Sequence, residues 1–126
     1  MAQPFSRLLE VELIAFSRDH VELRVPITPQ LKQQHGFVHG GVLAYAADNA
    51  LTFAGGAALG PAVVTAEFKI NYLRPANGEM VLARAGVVHA GRNQAVCRCE
   101  VFSVSLGQES LCAIAQGTIA TLGRPQ

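Results

Sequence analysis

Residues 35–57 read HGFVHGGVLAYAADNALTFAGGA and decide the fold, because from Gly40 onward they carry one long helical pattern. Apolar residues recur at the spacing of a helix, and a narrow polar stripe lies opposite them. The many alanines and glycines predict a helix that other elements wrap closely. We therefore predict a central helix over residues 40–57. Its apolar face comprises Leu43, Ala46, Ala47, Ala50, Phe53 and Ala54, and its polar stripe comprises Tyr45, Asp48, Asn49 and Thr52.

Strand patterns lie on both sides of this helix. Residues 12–27 hold two strand-like runs separated by Ser17-Arg18-Asp19, after a short helix predicted at residues 4–9. Beyond the long helix, apolar and polar residues alternate in four runs bounded by turn residues. This order predicts an α+β fold with a mainly antiparallel sheet, in a single domain over residues 1–126. The four runs are residues 64–72, 80–90, 95–105 and 110–122, and in the first of them Val64, Ala66, Phe68, Ile70 and Tyr72 share a face.

The composition predicts a homo-oligomer. Of the 126 residues, 15% are charged, against a typical share of roughly 25%. A small domain exposes much of its area, so a monomer of this size needs more charge to cover itself. One helix also leaves the opposite face of the sheet free to meet another subunit.

Charge and cysteine content exclude several classes of protein. Ten basic and nine acidic residues are scattered along the chain and give a formal net charge of +1, which argues against binding to nucleic acid or to a membrane. The three cysteines lack CxxC spacing, and we predict that Cys97 and Cys99 are buried on one face of a strand. The first residues carry charges and no long apolar stretch, so we expect no secretory signal and a cytoplasmic protein.

The start of the long helix is the first candidate site. Gly40-Gly41 places unpaired backbone N–H groups at the positive end of the helix dipole. These amides can hold a developing oxyanion, and glycine lets a ligand approach the backbone closely. Alternatively, the two glycines only let the chain turn tightly into a packed helix.

Asp48, a carboxylate in the middle of an otherwise uncharged helix, is the second candidate. It is either a general base or nucleophile, or a residue that pairs with Lys69 or Tyr45 or faces solvent. Gly40 and Asp48 are eight residues apart, which is about 12 Å along a helix. They cannot flank one reacting carbonyl within a single chain. A site that uses both must combine the helix start of one subunit with the aspartate of another.

Other chemistries have less support in the sequence. His35 and His39 have HxxxH spacing but no third ligand at a known spacing, so we predict no metal site. A simpler role for His39 is a hydrogen bond to the loop backbone. The chain contains neither a GxSxG motif for a nucleophilic serine nor a glycine-rich nucleotide loop.

Two segments carry a family resemblance. HGFVHGGVLAYAADNALTFAG at residues 35–55 resembles the signature of hotdog-fold acyl-CoA thioesterases, in particular the phenylacetate-degradation (PaaI-like) subfamily. TAEFKINYLRPANGE at residues 65–79 resembles the next strand and turn of that subfamily. The resemblance covers nearly the whole chain and implies a hotdog fold, in which an antiparallel sheet of about six strands wraps around one long central helix.

The resemblance also implies roles for individual residues. Asp48 matches the carboxylate that activates water or attacks the thioester, and the Gly40 N–H matches the donor that polarises the thioester carbonyl. His39 matches the histidine before that glycine, Thr65 matches a Ser or Thr that helps to position water, and Gln33 stands where the family often has Asn. The family's site lies between subunits, and its members often pair dimers into tetramers. We expect five more residues to contact the substrate, with the two arginines at the CoA phosphates: Gly41, Asn49, Phe68, Arg74 and Arg92.

The function that the resemblance implies is acyl-CoA thioesterase activity, which hydrolyses an acyl or aryl-acyl CoA thioester to the free acid and CoA without a cofactor. The alternative is a hotdog protein that binds acyl-CoA without turnover, as a sensor or carrier, because a fold does not determine a function. A hydratase or dehydratase on the same fold is disfavoured, since no segment resembles the signatures of those enzymes.

Overall fold

The computed structural model describes residues 3–122, which fold as a six-stranded antiparallel sheet packed around one long helix. The strand order is β1-β2-β4-β5-β6-β3, so β1 and β3 are the two edges of the sheet. The predicted α+β hotdog architecture is confirmed. The elements are α1 (Pro4–Leu8), β1 (Glu12–Phe16), β2 (Val21–Pro26), a 3₁₀ turn (Pro29–Leu31), α2 (Gly40–Leu59), β3 (Val63–Tyr72), β4 (Met80–Ala90), β5 (Gln94–Ser105) and β6 (Gln108–Thr121).

Helix α2 packs closely on the sheet because its buried face consists mainly of small residues. A Cβ at Gly55 would lie only 2.4 Å from the Cβ of Ile119 on β6, so the backbones approach to a distance that only glycine permits. The helix continues two residues beyond the predicted end and stops at Gly60, whose φ is +107°. The buried side chains of α2 are Leu43, Ala46, Ala47, Ala50, Leu51 and Ala54.

The apolar face of α2 also includes Leu51, which the predicted face left out. Leu51 is fully buried because it points at Gly117 on β6, where the missing side chain leaves room for it. Phe53 is half-buried and packs edge-on against Phe16 of β1, with ring centroids 5.8 Å apart.

The predicted alternation along β3 holds for Phe68 and Ile70, which pack on the core, but it is wrong for Val64 and Ala66, and a β-bulge is the reason. Thr65 stands opposite Ile119 and Glu67 stands opposite Thr118, so Ala66 is an extra residue in the strand. Because of the extra residue, the side chains before Ala66 lie on the opposite face of the sheet from the one that regular alternation would give them. Thr65 and Phe68, which an ideal strand would place on opposite faces, are therefore both half-buried, whereas Val64 is exposed.

Two features of the central strands complete the fold. Arg84 donates to Glu109 at 2.6 Å and to Glu22 at 2.9 Å, which ties β2, β4 and β6 together and lowers the pKa of Glu109. Cys97 and Cys99 are buried on one face of β5, as predicted, and burial raises the pKa of Cys97 to about 11, so this side chain stays a neutral thiol.

Within residues 3–122, no helix combines the length and apolar character that a membrane span needs.

Candidate active site

Asp48 is half-buried on α2, and its partner is a threonine rather than Lys69 or Tyr45. Thr65 Oγ1 donates to Asp48 Oδ1 at 2.6 Å, a short bond of the kind that a charged acceptor favours. The bulge at Ala66 therefore has a consequence for the site, because it puts Thr65 on the same face of the sheet as Phe68, the face that packs on the core. Within residues 3–122 the second carboxylate oxygen, Oδ2, has no hydrogen-bond partner, so it is free to accept a proton.

Thr52 supports this pair from one helical turn further on. Its hydroxyl donates to the backbone carbonyl of Asp48 at 2.8 Å and lies 3.1 Å from Thr65 Oγ1. Each hydroxyl gives its only proton to Asp48, so the two oxygens lie in contact beside the carboxylate without a hydrogen bond between them. Sequence reasoning placed Thr52 on the polar stripe but gave it no role, although its position four residues after Asp48 is a usable signal.

The start of α2 presents a free backbone amide, and an oxyanion donor at Gly40-Gly41 requires such an amide. His39 is the N-cap of α2, and its Nδ1 accepts the Gly41 N–H at 2.9 Å. A ring nitrogen that accepts carries no proton, so the imidazole has its proton on Nε2. The Gly40 N–H has no acceptor among the residues that the structure describes. His39 thus holds the turn, and the donor next to it remains available.

Gln33 lies in the exposed loop before the helix. Its backbone N–H donates to the Phe37 carbonyl at 2.7 Å, and its carbonyl accepts the Gly36 N–H at 2.9 Å. Gly36 has a φ of +88°, which lets the chain close this tight loop. The side chain of Gln33 is exposed.

The two halves of the site lie far apart within one chain. Gly40 and Asp48 belong to the same uninterrupted helix, so eight residues separate them by about 12 Å along its axis. A carbonyl bound at the Gly40 amide is therefore out of reach of Asp48 of the same chain.

Two separate clefts lie beside the two halves of the site. Asn49 and Thr52 line an open cleft of about 990 Å³, between the second half of α2 and β1. His39 and Gly41 line another, of about 640 Å³, against α1 and the 3₁₀ turn. The larger cleft has mainly apolar walls: Val11, Leu13, Phe16, Phe53, Ala57 and Val63.

A series of hydrogen bonds fixes Asn49 in the wall of the larger cleft. Its Nδ2 donates to Tyr45 Oη at 3.2 Å, and that hydroxyl also bonds to Ser6, a fully buried serine on α1. The Phe5 ring packs edge-on against Tyr45, with centroids 4.9 Å apart. Helix α1 thus anchors on the polar stripe of α2.

The remaining predicted substrate contacts lie outside these clefts. Phe68 is half-buried against the core, with its Cβ next to Gly117. Arg74 and Arg92 are both exposed but lie far apart along β6: the Arg74 N–H donates to the Cys112 carbonyl, and Thr121 donates to Asn93, the residue after Arg92. That span corresponds to about 30 Å of strand, so the two arginines do not form one phosphate site within a protomer.

Metal-ligating residues do not converge in the described part of the chain. No group of three His, Cys, Asp or Glu side chains there is arranged to hold a metal ion. His35 is exposed, and its ring contacts the neighbouring Gln34 at 3.5 Å.

Comparison with known proteins gives the family. The sequence profile of the Thioesterase superfamily matches residues 35–109, which include the loop, the helix and the next strands. A crystal structure of a thioesterase family protein from Silicibacter pomeroyi is 34% identical and superposes with a TM-score of 0.91, over 95% of this chain and 90% of that one. A thioesterase from Haemophilus influenzae is 28% identical with a TM-score of 0.85, over 96% and 84%. A medium/long-chain acyl-CoA thioesterase of Escherichia coli is 28% identical over 118 residues, 78% of this chain and 74% of that protein. The chain, with its free amide at the start of the central helix and its aspartate two turns along it, belongs to the Thioesterase superfamily.

Proposed function

We propose that this protein is an acyl-CoA thioesterase that hydrolyses an acyl or aryl-acyl CoA thioester to the free acid and CoA. One observation carries the proposal. The same helix offers a free backbone donor at Gly40 and, about 12 Å away, a carboxylate that Thr65 holds by one oxygen. Hydrolysis of a thioester needs these two groups, a donor for the oxyanion and a base or nucleophile.

The reaction combines groups of two subunits. The Gly40 N–H of one subunit donates to the thioester carbonyl oxygen, and Asp48 of the partner subunit removes a proton from water. The resulting hydroxide attacks the carbonyl carbon, the C–S bond breaks, and CoA leaves as the thiolate. In the alternative route, Oδ2 of Asp48 attacks the carbon itself, the C–S bond breaks and CoA leaves as the thiolate. Water then hydrolyses the anhydride that is left and returns the free acid and the aspartate. Both routes need Thr65 to hold the carboxylate in place.

The apolar cleft beside Asn49 is the proposed place for the acyl group. Its volume of about 990 Å³ lies at the upper end of the usual range for small-molecule sites. The name of the Escherichia coli relative gives medium and long acyl chains as its substrates. The motif resemblance to the phenylacetate-degradation subfamily favours an aromatic acyl group instead. We assign the chain to that subfamily as part of this proposal, on residues 35–55 and 65–79.

The proposed assembly is a dimer, with dimers pairing further into a tetramer. β3 is an edge strand of ten residues, and Val64, Tyr72 and Leu73 at this edge are exposed. A long open edge with apolar side chains favours pairing with another strand. If two β3 edges pair antiparallel, Arg92 of the partner subunit comes toward Arg74, and the two can share the CoA phosphates.

The first experiment measures thiol release from a panel of aliphatic and aromatic acyl-CoAs, with the wild type beside Asp48→Asn. We expect hydrolysis by the wild type and a loss of about 10³-fold or more in Asp48→Asn, since the base is removed while the shape stays the same. Full activity in a folded Asp48→Asn protein contradicts the mechanism. Tight binding of a non-hydrolysable acyl-CoA without turnover of any substrate favours the sensor or carrier function instead.

The second experiment tests the donor with Gly40→Pro. Proline is well accepted at the first position of a helix and lacks an N–H, and His39 already has the extended backbone that a following proline needs (φ −60°, ψ 135°). We expect a loss of about 10²- to 10³-fold in kcat, the usual effect of removing one oxyanion donor. The matched control is Gly40→Ala, which keeps the N–H and whose Cβ would make only ordinary contact with Tyr72 at 3.5 Å. It should retain clearly more activity than Gly40→Pro.

Mixing the two inactive variants tests whether the site is shared. A mixed dimer of Asp48→Asn and Gly40→Pro has one site with both groups intact, so co-refolding should restore roughly a quarter of wild-type activity. As a control, Asp48→Asn mixed with the Gly40→Pro/Asp48→Asn double variant should restore nothing. No recovery in the first mixture, with mixed dimers present, contradicts a site between subunits.

A further inference from the structure

We infer that Tyr72 is a positioning residue for the Gly40 amide, a role that rests on the proposed function. Tyr72 is the last residue of β3, and its hydroxyl donates to the Gly40 carbonyl oxygen at 3.1 Å, across 32 residues of sequence. It connects the edge strand to the start of α2, where the proposed donor lies.

This contact completes a set of restraints on the first two peptide groups of the helix. The peptide group between Gly40 and Gly41 is held at both ends, since its carbonyl accepts from Tyr72 and its N–H donates to His39 Nδ1. The preceding peptide group, which carries the Gly40 N–H, is held through the His39 carbonyl by the Val42 N–H at 2.9 Å. Because a peptide group is planar and trans, fixing that carbonyl also fixes the direction of the N–H on its other side.

Tyr72 matters here because two consecutive glycines leave the backbone unusually free to rotate. Gly40 joins the two peptide groups. Besides the helical hydrogen bond from the next turn, which the carbonyl of Gly40 accepts as part of α2, the second peptide group is held by the His39 ring and by the Tyr72 hydroxyl. An oxyanion donor contributes most when it is aligned before the reaction begins, so that alignment costs nothing in the transition state.

The tyrosine ring also lies against the same glycine. A Cβ placed on Gly40 would be 3.5 Å from Cε1 and Cζ of Tyr72, so the ring packs against Gly40. The ring and the hydroxyl therefore act on one residue. The hydroxyl can be removed separately, because phenylalanine keeps the ring.

Steady-state kinetics of Tyr72→Phe test the inference. We expect kcat to fall about tenfold, a fraction of the loss expected when the whole donor is removed, while KM changes less than about twofold, because the hydroxyl does not touch the substrate. In ¹⁵N-labelled protein the Gly40 amide resonance should shift. A tyrosine with a merely structural role would lower the thermal midpoint and leave kcat of the folded enzyme unchanged.

A double-mutant cycle shows through which group Tyr72 acts. In the Gly40→Pro background the N–H is absent, and Tyr72→Phe should then have no further effect on kcat. If the two losses multiply, Tyr72 acts elsewhere and the inference is wrong.

The outcomes separate this inference from the proposed function. A Gly40→Pro protein with wild-type kcat overturns both, since no donor at Gly40 is then needed. A strong loss in Gly40→Pro together with wild-type kcat in Tyr72→Phe leaves the function standing and overturns only the role of Tyr72.

Discussion

At the scale of single residues, the site depends on hydrogen bonds that set the position of two groups. The place of Asp48 in an otherwise uncharged helix marks it as a candidate, and in the structure Thr65 donates a hydrogen bond to it. The structure adds that Thr65 acts on the carboxylate itself, whereas the resemblance implied a role in positioning water. Water can still approach the free lone pair of the Thr65 hydroxyl, because that oxygen accepts as well as donates.

Thr65→Val should lower kcat/KM by about 10- to 100-fold, because a hydrogen bond to a charged acceptor contributes about 1.5–3 kcal/mol. Valine keeps the shape of the side chain, so Asp48 loses its partner without a cavity. Thr65→Ser keeps the hydroxyl and is the matched control, with activity close to that of the wild type. Thiol-release kinetics measure both variants, and equal rates for the valine and serine variants contradict the proposed role.

At the scale of elements, the packing of α2 on the sheet is decided by which glycine faces which strand. Gly55 faces Ile119, where a Cβ would lie at 2.4 Å, whereas a Cβ at the neighbouring Gly56 would meet only Val63 at 3.7 Å. The two residues have the same helix propensity, so they form a matched pair for testing close packing.

Gly55→Ala should lower the free energy of unfolding by about 1–2 kcal/mol, because the helix must move away from β6. Gly56→Ala should raise it by about 0.5–1 kcal/mol, since alanine favours the helix and meets no close neighbour. Denaturant midpoints with unchanged slopes measure both changes. Similar effects of the two substitutions would mean that α2 does not approach β6 as closely as the structure has it.

At the scale of the whole molecule, low charge and an open β3 edge both support the expectation that the protein is an oligomer. Only 15% of the residues are charged, and the exposed apolar side chains Val64, Tyr72 and Leu73 lie at the free edge of the sheet. The separation of Gly40 and Asp48 along α2 points the same way, because a site that uses both, as we propose, needs a second subunit.

Light scattering should therefore give a mass of at least twice the 13.4 kDa of the chain, and a tetramer if the free sheet faces also pair. On dilution, specific activity should fall together with the mass, because each active site needs two chains. An active monomer contradicts both the shared site and the interpretation of the composition.

The sequence by itself determined the order of the elements, the position of the long helix and the identity of its polar stripe. Each of these depends on local spacing: the helical repeat in residues 40–57, the alternation in the strands, and the turn residues between them. The likeness of residues 35–55 to a known signature also singled out Asp48 and Gly40 as candidates, because a helix start and an aspartate two turns later are local features.

Only the tertiary structure decided which residues meet across the fold. The bulge at Ala66 reverses the faces of β3 and brings Thr65 to Asp48, and no short-range pattern marks it. The contact of Tyr72 with Gly40 joins residues 32 positions apart, and strand alternation alone placed Tyr72 on an apolar face. Such contacts depend on how the sheet curves around the helix, which is a property of the packed chain rather than of any segment.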